Sequence, residues 1–103
     1  ITRTMRVAKM AEEAGILVTP HCANLTLVTL FTMHLLRAIP NAGKYLEFSI
    51  EGHDYYPWQY SLFSNSLFDI KDGNATVTDA PGWGAVINTA WLAKSKYQIS
   101  EVK

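Results

Sequence analysis

The 103 residues are enough for one small domain, and 49% apolar residues with 17% charged ones describe a chain able to bury a core, which excludes intrinsic disorder. Nine basic and nine acidic residues cancel and no Lys/Arg block stands out, so the charge pattern argues against nucleic acid or an anionic membrane as partner. The single cysteine, Cys22, cannot form an internal disulfide, and the N-terminus lacks the charged-then-apolar layout of a secretory signal. Together these point to a reducing compartment, the cytoplasm.

The chain opens on Ile1 and goes at once into a helical pattern, as expected of a piece of something longer. Val7, Met10, Ala11 and Ala14 fall at helical spacing with Arg3, Arg6, Lys9 and Glu13 opposite, which predicts an amphipathic surface helix over residues 3–14. Thr2 or Thr4 is expected to cap its start and Gly15 to stop it. Ile16 to Thr19 is a short apolar run between Gly15 and Pro20, the pattern of a strand covered on both faces. Asn24 is the expected cap of a second helix, from Leu25 to about Ala38, ended by Pro40-Asn41-Ala42-Gly43. That stretch carries Thr26, Thr29, Thr32, His34 and Arg37 and is shorter than the roughly 20 residues a bilayer crossing needs, so it reads as a buried helix.

Tyr45 to Phe48 follows as another strand. Strand, helix, strand in that order is a βαβ crossover with parallel strands, hence an α/β fold. Beyond it, His53 to Tyr60 reads as an aromatic-rich loop. Leu67–Lys71 and Ala75–Thr78 read as two strands joined across Asp72-Gly73, Pro81-Gly82-Trp83-Gly84 as a rigid turn, and about Thr89 to Lys96 as a short helix.

In parallel α/β folds the working groups sit at the carboxyl ends of strands. His21 falls just past the first strand and Glu47 near the end of the second, and neighbouring strands about 4.8 Å apart would let both address one bound molecule. A lone histidine after a strand is most often a hydrogen-bonded structural residue. A glutamate between Leu46 and Phe48 in a covered strand is more telling, because burying it is costly unless it is paired or functional. Histidine exchanges protons near neutral pH, and a glutamate in a poorly solvated pocket can be protonated and donate to a developing oxyanion. Such a pair suits removal of a proton next to a carboxylate.

The ordered series "AEEAGILVTPH", "HLLRAIPNAGKYLEF" and "DGNATVTDAPGWGAVI" resembles the C-terminal region of the enolase superfamily, mandelate racemase subgroup, along essentially the whole chain. The resemblance implies a C-terminal fragment of a (β/α)7β TIM-like barrel with a small β-hairpin closing segment. Residues 1–48 would be the last βα units, and 49–103 the closing segment that contributes to a capping domain. It implies a Mg²⁺-dependent enzyme, a homo-oligomer at full length, acting on a small-molecule sugar acid or hydroxy acid through an enediolate. Dehydration is the expected reaction, with racemisation or epimerisation as the alternative. By the same resemblance His21 matches the acid/base catalyst after the seventh barrel strand, and Glu47 the residue that hydrogen-bonds the substrate carboxylate. The Mg²⁺ ligands, the opposing lysine motif and the aspartate that partners the histidine are expected upstream of Ile1, so the piece alone is expected to be inactive. Thr78 and Trp83 depart from the family pattern in ways that bear on packing.

Three features carry less. Cys22 beside His21 lacks a visible base, which favours a structural thiol. His34 lies at a spacing that suggests packing against the sheet. The stretch "GHDYYPWQYSLF" reads either as a substrate lid or as a contact onto a capping domain, with contact favoured. From a different class, a non-catalytic α/β domain that binds a protein through this loop also fits.

Overall fold

A computed structural model of the chain describes residues 1–51 and 54–101. His53, the expected start of the aromatic loop, lies outside the described residues.

The first helix, α1, runs Thr2–Glu13. Neither Thr2 nor Thr4 caps it: Ile1 occupies the cap position without a side-chain bond, and its carbonyl accepts from the Met5 N–H at 2.9 Å. The stop is as expected. Gly15 adopts φ +69°, its N–H reaches the Glu12 carbonyl, and the Ile16 N–H reaches back to Ala11, the paired bonds of a Schellman ending. The buried side is not the one expected. Ala8 is buried while Val7 and Met10 are exposed, because the helix turns its small residue towards Leu35 and Ile39, where close approach is possible. Val18, Leu36 and Ala42 pack around that cluster.

The second helix, α2, is Leu27–Ala38, two residues shorter at its start than expected. Thr26 is its cap and accepts from the Val28 N–H, whereas Asn24 accepts the Thr26 hydroxyl through its own side chain. Thr29, Leu30, Thr32, Met33 and Leu35 form its buried face.

The two expected parallel strands are present as a single bridge. Val18 pairs in parallel with Ala42: the Val18 N–H donates to the Asn41 carbonyl at 2.9 Å, and the Gly43 N–H to the Val18 carbonyl at 2.8 Å. Ile16 and Leu17 are exposed, and Tyr45–Phe48 forms no ladder, so neither segment is covered on both faces. Two short segments without further strands on either side cannot bury a sheet face. Asn41 anchors the region. Its buried Nδ2 donates to the Ala8 carbonyl at 2.9 Å and the Ile16 carbonyl at 3.0 Å, tying α1 to the chain leaving α2.

The hairpin across Asp72-Gly73 is real but narrower than expected. β1 (Ile70–Lys71) pairs antiparallel with β2 (Asn74–Ala75), Ile70 opposite Ala75 and Lys71 opposite Asn74. Asp72 at φ +50° and Gly73 at φ +73° supply the two left-handed positions of a type I′ turn. A second antiparallel contact joins Phe63 to Ile87, flanked by Ser64 N–H to Val86 O and Asn88 N–H to Leu62 O. The Pro81–Gly84 turn delivers Trp83 onto α2, its ring 4.5 Å from Phe31 and 5.2 Å from His34. His34 therefore packs on that indole, not on a sheet. The last helix, α3, is Thr89–Leu92, capped by Asn88 and ending before the expected Lys96.

Candidate active site

Beyond the Val18–Ala42 bridge the two segments continue side by side to Pro20-His21-Cys22 and Leu46-Glu47. His21 and Glu47 meet there: imidazole Nδ1 lies 2.6 Å from Glu47 Oε2. The same oxygen accepts the Cys22 N–H at 2.9 Å, and the Cys22 thiol donates to the Glu47 carbonyl at 3.1 Å. Cys22 is 1% exposed, so these bonds fix the glutamate from the interior while its carboxylate reaches outward.

Glu47 is thus paired, as its cost in an apolar setting required, but it is not desolvated. The Glu47 side chain is 46% exposed and that of His21 78%. The expectation of a glutamate in a covered strand fails for the reason the strand itself fails: a one-bridge segment has an open face. His21 also borders a hollow of about 270 Å³ lined by Thr4, Val28, Phe31 and Leu35. Glu47 is not among the residues lining it, so the pair meets at the rim.

The geometry assigns atoms. A proton on Nδ1 is held by Oε2, which leaves Nε2 as the ring atom free to take or give a proton. Oε2 is occupied twice, and Oε1 is without a partner among the described residues. Burial pushes the Cys22 thiol up from its ordinary value near 9, with the Glu47 charge adding to it and the Thr29 and Thr32 side chains offsetting part. A buried thiol held protonated is a hydrogen-bond donor and a poor nucleophile, in keeping with the structural reading.

Sequence reasoning missed Gln59. It is 2% exposed, and its Oε1 accepts the Leu25 N–H at 3.2 Å and lies 3.3 Å from Ser49 Oγ. Ser49 also donates to Glu51, which holds that carboxyl below its usual range. A glutamine amid Tyr, Trp and Phe carried no periodic signal. In the aromatic stretch, Tyr55 meets Tyr56 edge-on, Tyr56 packs at a tilt against Trp58, and the Tyr60 hydroxyl donates to the Glu51 carbonyl.

Residues 1–91 match the family model described as Enolase C-terminal domain-like. The chain belongs to that family. A Roseobacter denitrificans protein whose crystal structure is described as that of a "putative racemase" is 70% identical, with a TM-score of 0.89 over 99% of this chain. The chain spans 28% of the length of that protein. No curated protein matches it. Members of the family generally use Mg²⁺, yet among the described residues no group of three or more His, Cys, Asp or Glu side chains could hold a metal ion. Glu47, the carboxylate nearest His21, already serves the imidazole and the Cys22 N–H. The described residues do not fit a metal centre.

Proposed function

We propose that this chain supplies one half of an acid–base site that moves the α-proton of a small carboxylate, and that the reaction of the intact enzyme is racemisation. Residues 1–48 are read as the last βα units of a barrel and 49–103 as its closing segment. The observation that carries the reading is the 2.6 Å contact between His21 Nδ1 and Glu47 Oε2, at the ends of two parallel segments of an enolase-family chain. With Nδ1 held, Nε2 faces outward as base towards one face of the substrate and as acid on the return. Glu47 sets the tautomer and orientation of the ring.

Racemisation needs a second base on the opposite face of the α-carbon. The description of the 70% identical Roseobacter denitrificans protein as a "putative racemase" favours it. Sugar-acid dehydration is the second reading. A side chain as exposed as that of His21 also suits protonation of a departing hydroxyl.

Proton NMR of a panel of 2-hydroxy and sugar acids incubated with the intact protein in D₂O separates the readings. Racemisation replaces the α-proton signal by deuterium and gives at most the C2 epimer, whereas dehydration gives 2-keto-3-deoxy acid signals. His21→Asn should abolish either. A variant that exchanges the α-protons of both enantiomers, or dehydrates, at the wild-type rate would overturn the assignment of His21.

A further inference from the structure

We propose that Gln59 is a positioning residue for the His21–Glu47 pair, a role that rests on the acid–base reading above. The two segments that present the pair share one backbone bridge, Val18 to Ala42, and no ladder continues past it. What holds them together further on is side-chain chemistry. Cys22 fastens to Glu47 at the level of the pair itself. Beyond it, the Gln59 amide stands between the Leu25 N–H, four residues past His21, and the Ser49 hydroxyl, two past Glu47. One buried carbonyl oxygen thus bridges the chain leaving each member of the pair and takes the place of the absent ladder.

The chemistry of the amide supports this over simple space-filling. Leu25 is buried, so its N–H would go unpaired without Oε1, a loss that displaces a segment more readily than a change in packing does. Gln59 Nε2 is also buried and has no partner among the described residues. A methionine would fill a similar volume without desolvating an amide, so what the glutamine adds is its acceptor. The Ser49 hydroxyl has one proton for two acceptors, Glu51 and Gln59, which makes the Leu25 bond the constant arm of the bridge. Gln59 is itself seated by its N–H on the Tyr56 carbonyl at 3.0 Å, so the aromatic stretch is tied to the site through this residue.

The test is α-proton exchange by the intact protein carrying Gln59→Met, which keeps the volume and removes the acceptor, and Gln59→Glu, which keeps an acceptor. Gln59→Met should lower kcat about tenfold or more with KM changed less than about threefold, because misplacing an acid–base group costs rate more than binding. Gln59→Glu should restore kcat to within about threefold of wild type, and the His21 Nδ1–H resonance should broaden in the Met variant alone. Wild-type kcat in Gln59→Met, or equal losses in both variants with the resonance unchanged, would overturn the proposal. Should Gln59→Met fail to fold, Gln59→Asn decides, since it keeps the amide but withdraws its oxygen from the Leu25 N–H: a drop in kcat at constant KM supports the bridge, and an unchanged kcat refutes it. His21→Asn serves as control, since exchange of both enantiomers that survives it defeats the acid–base reading itself and not the role of Gln59.

Discussion

Cys22 grips Glu47 twice, by its N–H to Oε2 at 2.9 Å and by its thiol to the glutamate carbonyl at 3.1 Å. The residue next to the histidine therefore sets both the backbone and the carboxylate of its partner. A substitution at Cys22 reaches Glu47 without touching a substrate.

Cys22 should resist modification in the folded protein. Its thiol is buried and held protonated, so a thiol reagent at pH 7–8 should label it at the rate of unfolding. The fold favours the protonated form of a group whose ordinary value is near 9. The folded chain then binds more protons than the unfolded one between the two pKa values, so this stabilisation is complete below about 9 and is lost as pH rises towards the folded value. Denaturant melts of wild type and Cys22→Ala at pH 7 to 10 should converge as pH rises. Labelling as fast as that of a free thiol would contradict the burial.

Asn41 should be worth more as a donor than as a filler. Asn41→Ala removes two hydrogen bonds, to Ala8 and Ile16, and with them an orphaned buried Oδ1, so the net loss should be about 1–3 kcal/mol. Asn41→Asp is nearly isosteric but faces the same two carbonyls with a carboxylate, and it should cost more than alanine at pH 7. Equilibrium unfolding of the three proteins checks the order.

Gly73 and Gly84 form an internal comparison. Both have left-handed φ, +73° and +69°, but a Cβ on Gly73 meets nothing within 4 Å, whereas one on Gly84 meets Thr78 Cγ2 at 2.1 Å. Gly73→Ala should cost about 1 kcal/mol from backbone conformation, and Gly84→Ala about 1–3 kcal/mol more from the clash. Adding Thr78→Ser should recover part of the difference, since Cγ2 is the atom in the way. Equal melting temperatures for the two alanine variants would contradict the contact.

The stop and turn residues were readable in the chain, whereas the caps expected at Thr2 or Thr4 and at Asn24 were displaced to Ile1 and Thr26. Gly15 ends α1, Asp72-Gly73 turns the hairpin, and the placement of His21 and Glu47 at the ends of parallel segments brought them into contact. What misled was any inference that needed a neighbour. Ile16, Leu17 and Tyr45 have strand composition, but a strand is made by its partners, and here one bridge is all the described residues provide. The exposure of Glu47 follows from that same open face. The buried side of α1 followed Ala8 and not the larger Val7 and Met10, because close approach to Leu35 and Ile39 decided it. Gln59 and Asn41 act through bonds spanning 34 and 33 residues, for which no spacing rule exists.

The claim on which the rest depends is that His21 and Glu47 act as one unit. A double-mutant cycle on α-proton exchange by the intact protein, run on the enantiomer that loses its proton to His21, measures this directly. Glu47→Gln should slow exchange about a hundredfold and His21→Asn about a thousandfold or more, and the double variant should be no slower than His21→Asn alone, since a glutamate that works through the imidazole has nothing left to do without it. Losses that multiply in the double variant would show two independent groups and contradict the pairing.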